Sequence, residues 1–486
     1  MKEGPKGGML RVLSDSDVEQ IHSASLALLA RHGMYSESDA ILDIFRDGGA
    51  DVDLRSRIVR LPRDLVDWAL SSAPERVVLY GRDPAMDLLL EPGRVYFGMG
   101  GSSEPFIWDY EARAPREPTK ADMVANTRVG QAASNVDFVM ALCSAGDVPD
   151  DEIYLHEYDA LLRNTTKPVI YSAPGEMFTR WFFEMAAAAS GGEAEFRQRP
   201  CVVHWTQPIS PMQIGAYTEG AVVAAELGVP IMFSPGPMMG ATSPATLAGT
   251  LAQVNAEALA GIVLAQIIRP GTPVIYAPHT GVMDMRTAQC TYGSPEQSLA
   301  RAAVAQIGIH YRLPSFGLGG GVEAKLPDSE AAAQAMMGML MNGLSGLTLT
   351  QTLGTLASGL YGSPEMLLIC DEIAHMVKRI LAGLSVSDDT LAVGVIEEVG
   401  HGGHFLEHEH TLRHFRNELF FPFLFQRQSI DEWIGQGSRP VDQIAHERVT
   451  HVLASAAPIE LPSGANQSLT EVLCRAVADV RSRSRG

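Results

Sequence analysis

Residues 167–174 read KPVIYSAP, and this pattern of a proline followed by a short apolar run returns four more times. A proline at the first residue of a strand removes no hydrogen bond from the sheet, and runs rich in Val, Ile, Tyr and Phe are typical of buried parallel strands. The segments begin 30 to 43 residues apart, which leaves room for a crossover helix between them. They are KPVIYSAP (167–174), RPCVVHWTQ (199–207), VPIMFSP (229–235), TPVIYAP (272–278) and LPSFGLGG (313–320).

Helical patterns fill the gaps between these runs, and two further strands are expected at 136–142 and 344–350. The pattern predicts seven strands and leaves the eighth unplaced. Repeated βα units indicate a parallel α/β fold. We favour a closed (β/α)8 TIM-type barrel over a doubly wound open sheet, because no glycine-rich dinucleotide turn follows the first strand. The predicted crossover helices are 176–190, 211–227, 244–268 and 295–310.

Helical additions are expected on both sides of the barrel. We predict an N-terminal helical segment at 1–90, the barrel at 91–385 and a C-terminal helical segment at 386–486. Ser16 and Glu19 match a capping box for the first helix. Further helices are expected at 39–47 and 63–73. Residues 94–109 instead suggest short strands around a glycine turn.

Composition narrows the class of protein. The chain has 486 residues, 46% of them hydrophobic, and can therefore bury a large core. A net charge of −20 disfavours nucleic acid and anionic membranes as partners, although it suits a cationic ligand. Five scattered cysteines without a CxxC pair indicate a reducing compartment. Because no signal peptide or bilayer-length apolar run is evident, we expect a cytoplasmic protein.

The active face of a barrel is where its strands end. Four aromatic residues occur just before strand ends, either as ordinary core or as a ring that holds an alkylated ammonium group by cation–π contact. The glycines of GLGGG (317–321) lack the spacing of a dinucleotide motif, so we expect them to let the backbone approach a ligand closely. The aromatic candidates are Tyr171, Trp205, Phe233 and Tyr276, and the other candidates are Gln207, His279, Gly319, Gly320 and Gln351.

A histidine-rich stretch, HGGHFLEHEHTLRHF, spans residues 401–415. His404 and His408 are four residues apart, as are His410 and His414, and on a helix either pair can bind a metal. The HExxH motif is absent, however, so we predict no metal. A corrinoid-binding DxHxxG motif is also absent. We therefore expect no tightly bound cofactor, and any cobalamin would have to arrive on another protein.

Several collinear segments resemble the trimethylamine methyltransferase family, in the branch that lacks pyrrolysine. The resemblance runs from about residue 10 to 455. The segments that carry it include GGADVD (48–53), VYFGMGGSSEPFIWD (95–109), GSPEMLLICDEIAHMVKRIL (362–381) and VIEEVGHGGHFLEHEHTLRHFRNELFFPFLFQR (395–427).

The resemblance implies a barrel methyltransferase that moves a methyl group from a methylated amine to the Co(I) of a separate corrinoid protein. The founding enzyme carries pyrrolysine in a loop that aligns loosely with SFGLGGGVEAK (315–325), whereas every residue here is standard. Quaternary amines such as glycine betaine are therefore the implied substrates. A quaternary ammonium group already has a neutral amine as its leaving group and needs no added proton.

The carboxylate of a betaine would need hydrogen-bond donors, for which Gln207 and His279 are the candidates and His410 is a third. Two alternatives remain open, namely transfer of the methyl group to a pterin and a non-catalytic betaine-binding barrel. The expected partners are a methylated amine and a transiently bound corrinoid protein, with a homo-oligomer possible.

Overall fold

Eight parallel strands follow one another in chain order around a barrel in the computed structural model, which describes residues 1–455 and 457–483. The last strand pairs with the first, and the remaining seam is closed by a bridge in which Tyr276 N–H donates to the carbonyl oxygen of Pro314 at 2.9 Å. The predicted (β/α)8 TIM-type barrel is confirmed. Its strands are β1 (Tyr96–Ser102), β2 (Phe138–Ala141), β3 (Val169–Ser172), β4 (Val202–Thr206), β5 (Ile231–Phe233), β6 (Val274–Tyr276), β7 (Phe316–Leu318) and β8 (Leu349–Leu353).

Helices precede, surround and follow the barrel. Those before it are α1 (Asp15–Arg31), α2 (Asp39–Asp47) and α3 (Arg63–Ser72). Those around it are α4 (Lys120–Ala132), α5 (Ile153–Asn164), α6 (Gly175–Ser190), α7 (Glu193–Gln198), α8 (Glu219–Leu227), α9 (Leu247–Ile268), α10 (Pro295–His310), α11 (Ser329–Ser345) and α12 (Pro364–Leu381). Those after it are α13 (Asp388–Leu391), α14 (Val393–Val399), α15 (Glu409–Glu418), α16 (Ile430–Gly435), α17 (Val441–Ser455) and α18 (Ala465–Arg483).

Small sheets and short 3-10 helices lie outside the eight barrel strands. One sheet contains Met34–Tyr35, Asp51–Asp53 and Ile58–Arg60, and a hairpin pairs Val77–Leu79 with Leu88–Leu90. A third small sheet contains Met238–Met239, Gly281–Asp284 and Gln289–Thr291. A fourth contains Phe106–Asp109, Ala114–Arg116, Thr355–Leu356 and Tyr361–Gly362. The 3-10 helices are Pro84–Met86, Asp150–Glu152, Ala216–Thr218 and Ala357–Gly359.

Alternate residues of each barrel strand face opposite sides, because successive side chains of a strand point in opposite directions. Trp205, Met232 and Ile275 are register partners across β4, β5 and β6, and all three belong to the cluster that fills the barrel interior. Their neighbours Phe233 and Tyr276 belong instead to the large cluster between the barrel and its helices. Both faces of the sheet are therefore buried.

A hairpin closes the end of the barrel where the strands begin. Leu88 and Leu90 are fully buried in the interior cluster, together with Val77 and Leu79 from the partner strand. Tyr96, the first residue of β1, donates its hydroxyl to the carbonyl oxygen of Leu89 at 2.6 Å. The hairpin side chains therefore fill this end of the barrel interior.

The strand that the sequence left unplaced is β1, within the glycine-rich 94–109 segment. A Cβ atom at Gly98 would lie 2.1 Å from the ring of Phe138, and one at Gly100 would lie 2.3 Å from the carbonyl oxygen of Ala141. These close approaches to β2 require glycine. Because glycine weakens the usual signal of a strand, β1 did not look like its seven neighbours.

Several predicted boundaries shift in the structure. The capping box of α1 is formed by Ser14 and Asp17, where Asp17 Oδ2 accepts from the Ser14 N–H at 2.9 Å, and not by Ser16 and Glu19. The predicted helix 211–227 begins only at Glu219, because the backbones of Ile209 and Gln213 bond to each other instead. The predicted strand 344–350 lies later, since α11 continues to Ser345.

Helix α9 alone among the described helices is long and apolar enough to cross a membrane. Of its most apolar window, 83% is buried, and the helix packs against α1 and α3. A core helix of a barrel passes the same test of length and composition.

Removal of one side chain from the closing hairpin should destabilise the whole barrel. We expect Leu90→Ala to lower the free energy of unfolding by about 2–5 kcal/mol, because it opens a cavity in the interior cluster. The matched control is Leu89→Ala, because Leu89 is only half-buried and lies outside the interior cluster. Urea unfolding followed by circular dichroism measures both. Equal effects of the two substitutions would contradict the assigned role of the hairpin.

Candidate functional site

A cavity of about 280 Å³ lies at the end of the barrel where the strands finish. Every strand except β2 and β3 contributes to it, either directly or through the loop that follows. Its location is the one at which barrel enzymes bind their substrates. The lining residues are Gly101, Glu104, Trp205, Gln207, Gly236, Met238, His279, Gly281, Cys290, Tyr292, Leu318, Gln351, Thr352 and Gly359.

Four of the residues singled out from the sequence meet in this cavity, namely Trp205, Gln207, His279 and Gln351. Trp205 is the inward residue at the end of β4, and its ring centroid lies 6.4 Å from that of Phe316 in the interior core. The indole is therefore shared by the core and the floor of the cavity. Gln207 and His279 follow β4 and β6, and Gln351 lies in the middle of β8.

The three other aromatic candidates lie outside the barrel, so a ring of four aromatics does not form. The Tyr276 hydroxyl donates to Asn255 Oδ1 of α9 at 2.7 Å. The ring of Phe233 packs closely against α9, since a Cβ atom added to Gly261 of that helix would lie 2.3 Å from the ring. Tyr171 stacks edge-on against Tyr158 of α5. Alternation along the strands explains the difference, because Trp205 pairs with Ser172 and Met232 rather than with the other aromatics.

The remaining predicted residues also lie elsewhere. The N–H groups of Gly319 and Gly320 both donate to the carbonyl oxygen of Gln351, at 3.0 and 3.1 Å. Their lack of side chains lets this loop pack against β8, since a Cβ on Gly319 would lie 2.2 Å from Thr350. His410 belongs to α15 of the C-terminal segment, which contributes no residue to the cavity lining.

Glu104 is the residue that the sequence reasoning missed. It follows β1 by two positions, is 4% exposed and lines the cavity. Its Oε1 accepts from the Thr355 hydroxyl at 2.6 Å, whereas Oε2 has no hydrogen-bond partner within the described protein. Had β1 been recognised as the first barrel strand, the rule that active residues follow strand ends would have pointed to Glu104.

Strained backbone surrounds this carboxyl group. Ser103, immediately before Glu104, has φ of 65°, and Thr352 at the end of β8 has φ of 68°. Ala357 and Ser358 in the loop that follows have φ of 51° and 56°. Non-glycine residues rarely adopt such values, and they concentrate at functional sites, where the surrounding structure holds them.

The cavity presents polar atoms that nothing in the described protein satisfies. Besides Glu104 Oε2, these are Trp205 Nε1, His279 Nδ1 and Gln351 Oε1, all of them buried. Buried polar groups are normally hydrogen-bonded, so their concentration in one cavity indicates a polar ligand. The donor N–H of Trp205 and the two acceptor oxygens require a ligand with more than one kind of polar group.

Burial sets the charges of the cavity. It raises the pKa of Glu104 to about 7, and the nearby carboxyl group of Glu157 adds to this effect. Burial also lowers the pKa of His279 to about 4, assisted by the Arg301 guanidinium, so that the imidazole is neutral at physiological pH. The described lining residues include one carboxyl group and neither Lys nor Arg. The cavity therefore suits a cation better than an anion.

Tyr292 forms another part of the wall and was not predicted. It follows the strand Gln289–Thr291, in the excursion between β6 and α10. Arg301 of α10 donates to its carbonyl oxygen at 2.8 Å and thereby ties this excursion to the barrel. A sequence pattern that locates only the barrel strands gives no information about such an excursion.

A (β/α)8 barrel with a buried, partly unsatisfied polar cavity at its C-terminal mouth defines the protein as a barrel enzyme. The sequence profile of the family described as trimethylamine methyltransferase (MTTB) matches residues 5–480. The chain belongs to this family and is a methyltransferase.

Curated relatives cover nearly the whole chain. Trimethylamine methyltransferase MttB of Desulfitobacterium hafniense (strain DSM 10664 / DCB-2) is 34% identical over 96% of this chain and 94% of its own. Glycine betaine methyltransferase of Desulfitobacterium hafniense (strain Y51) is 32% identical over 92% of this chain and 93% of its own. Among solved structures, the Methanosarcina barkeri monomethylamine methyltransferase covers 99% of this chain and 95% of its own, with 13% identity and a TM-score of 0.46.

The raised pKa of Glu104 predicts that cation binding depends on pH. Choline carries a permanent positive charge, so its own charge does not change with pH. Below pH 7 Glu104 is protonated and must lose its proton to face the cation, so affinity should rise up to about tenfold per pH unit and level off above pH 7. Calorimetric titrations from pH 5.5 to 8.5 test this. The curve should be flat for Glu104→Gln, and an unchanged slope in that variant would refute the assignment.

The inward and outward aromatics should respond differently to substitution. Trp205→Leu keeps the position apolar but removes the aromatic face, and we expect it to weaken choline binding by roughly 0.5–2 kcal/mol. Tyr276→Phe should leave binding unchanged but lower the free energy of unfolding by about 1–3 kcal/mol, because Asn255 loses a buried donor. Calorimetry and urea unfolding on both variants separate the two roles, and the reverse pattern would show that the aromatic assignments are exchanged.

Proposed function

We propose that this enzyme demethylates a small quaternary amine of the glycine betaine class and transfers the methyl group to the Co(I) of a separate corrinoid protein. One observation carries the proposal. The buried carboxyl oxygen Oε2 of Glu104, which has no partner among the described residues, shares a small cavity with the Trp205 indole, and the described lining includes neither Lys nor Arg.

A quaternary ammonium group suits this cavity because it cannot donate a hydrogen bond. It is held instead by an ionised carboxylate and by an aromatic face, and Glu104 and Trp205 supply these two groups. A volume of about 280 Å³ lies near the lower end of the range for ligand pockets, which favours a small amine.

Neutral donors would receive the carboxylate of a betaine. The Trp205 N–H, the amides of Gln207 and Gln351, and the neutral imidazole of His279 all face or line the cavity. Arg301 lies behind this wall and contributes positive potential, since it lowers the pKa of His279. This arrangement supports a zwitterion with its ammonium group toward Glu104 and its carboxylate toward His279.

The reduced corrinoid supplies the nucleophile, and the protein supplies position and electrostatics. The methyl group bonds to the nucleophile as the C–N bond breaks with its electron pair returning to nitrogen, so the leaving amine nitrogen is neutral and needs no proton. The ionised Glu104 then faces no cation. Because burial raises the pKa of Glu104 to about 7, this carboxylate can take up a proton from solvent and thereby assist release of the neutral amine.

The methyl acceptor must reach the cavity through the barrel mouth, because the hairpin closes the other end. We therefore infer a transient interface around the mouth. The glycine betaine methyltransferase from Desulfitobacterium hafniense supports the substrate class. All five cysteines lie in the described part of the chain and are free, which supports a cytoplasmic location.

The deciding assay mixes the enzyme with reduced corrinoid protein and a panel of amines, and follows the loss of Co(I) absorbance. We expect turnover with a quaternary amine, and roughly a 10- to 100-fold lower kcat/KM for Glu104→Gln, since the Coulombic attraction of two charges about 4 Å apart, on the order of 1–4 kcal/mol, is lost. The matched control is Glu117→Gln, which alters an exposed carboxyl group.

Two outcomes would overturn the proposal. Persistence of Co(I) with every quaternary amine, together with demethylation that needs only tetrahydrofolate, would show that the acceptor is a pterin. Tight binding of an amine without turnover by either acceptor would show that the barrel binds betaines without catalysis.

A further inference from the structure

Residues 388–435 form a segment of short helices on the outside of the barrel with almost no core of their own. None of the helices α13, α14, α15 and α16 contains a buried residue. Large apolar side chains such as Leu391, Ile396 and Leu406 are more than half exposed. Small structures that cannot bury enough apolar surface commonly depend on a disulfide, a metal ion or a partner.

Three potential metal ligands meet within this segment. His410 and His414 lie one turn apart on α15, and their ring centroids are 4.2 Å apart. Asp389 of α13 completes the group, and one ligand atom from each of the three residues lies within 4.8 Å of the others. The spacing of the two histidines was visible in the sequence, but the approach of an aspartate from another helix was not.

The contacts within the cluster already bring its ligand atoms together. His414 Nε2 lies 3.0 Å from Asp389 Oδ2, yet this buried nitrogen has no partner with hydrogen-bond geometry in the described protein. Arg413 contacts the other carboxylate oxygen, Oδ1, at 3.3 Å. His410 Nε2 is hydrogen-bonded to the main-chain oxygen of Asp389 at 2.9 Å, so an ion bound through this nitrogen would replace that bond. The two imidazoles and Oδ2 therefore converge on one region.

Local structure explains why α15 presents its histidines in this way. His408 caps the helix, because its Nδ1 accepts from the N–H of His410 at 3.0 Å. The other predicted pair, His404 and His408, does not share a helix, since α15 begins at Glu409. Only the second pair can therefore act as two ligands from one helical face.

We propose that Asp389, His410 and His414 bind a divalent transition-metal ion, of which zinc is the best match, and that this ion joins α13 to α15. Two imidazoles and one carboxylate are ligands that zinc prefers, at about 2.0–2.2 Å. Such a site supplies binding energy that stabilises the folded segment. It departs from the sequence prediction of no metal. Because no residue of α13–α16 lines the cavity, its role is structural and does not depend on the proposed function.

Metal binding can be measured on the full chain without an affinity tag. After chelation and dialysis, titration with Zn²⁺ should reach one equivalent per chain. Co²⁺ should give the visible absorption bands of a low-symmetry site. Limited proteolysis should cleave the segment 388–418 more slowly in the presence of zinc. We expect His414→Ala and Asp389→Asn to weaken zinc binding at least tenfold while retaining the circular dichroism of the barrel.

His404→Ala is the matched control, because it removes a histidine of the same segment that lies outside the cluster. This variant should bind zinc like the unmodified protein. The proposal is overturned if chelated protein binds no zinc at micromolar concentration. It is equally overturned if His414→Ala and Asp389→Asn bind zinc as His404→Ala does. Circular dichroism identifies a variant that fails to fold, and in that case His414→Gln replaces it in the same comparison.

Discussion

The pleat of the barrel strands is the constraint on which the rest of the structure depends. Each strand must bury both of its faces, so residues that differ by one position have unrelated roles. Trp205 reaches into the barrel, while its neighbour His204 packs against the helices with Phe183. The inward residues are then covered by the hairpin at one end. The described residues leave the cavity lined by Glu104 and Trp205 at the opposite end, which is therefore the candidate site of the chemistry.

Burial of Glu104 lowers the stability of the folded protein as the pH rises toward 7. Its folded-state pKa of about 7 lies above the ordinary value of 4.5, as does that of Glu157. At pH values below the ordinary pKa, the carboxyl groups are protonated in both the folded and the unfolded protein, so they cause no change of stability with pH. Between about pH 4.5 and 7 the unfolded chain ionises while the folded one does not, so stability falls as pH rises. A bound cation offsets this loss, which is a common relation between stability and function.

Much of the fold could be predicted because buried parallel strands have a strong composition. Five proline-initiated runs identified β3 to β7, and crossover lengths identified the helices between them. β1 escaped because its glycines are required by contact with β2, and these glycines remove the apolar pattern. Because β1 was not recognised as a barrel strand, Glu104, which follows it, was not identified as a candidate. Trp205, Gln207, His279 and Gln351 were found together because the rule about strand ends depends only on order along the chain.

The aromatic residues were harder to assign for a physical reason. Counting back from a strand end gives depth along the barrel but not the face, and the face changes with every residue. The register places Trp205 beside Ser172 and Met232, on the inward positions, whereas Tyr171, Phe233 and Tyr276 fall on the alternate, outward positions. The second set of missed residues, including Tyr292, belongs to excursions whose position depends on tertiary contacts such as that of Arg301.

The hairpin that closes the end of the barrel where the strands begin also bears on the order in which ligands bind. With one opening, anything that docks over the mouth covers the route by which a small molecule enters and leaves. Under the proposed transfer to a protein-borne acceptor, the amine would have to be in place before the acceptor arrives, and the demethylated product would stay enclosed until the acceptor departs. The order in which the two partners bind would then follow from the architecture of the barrel and not from their relative affinities.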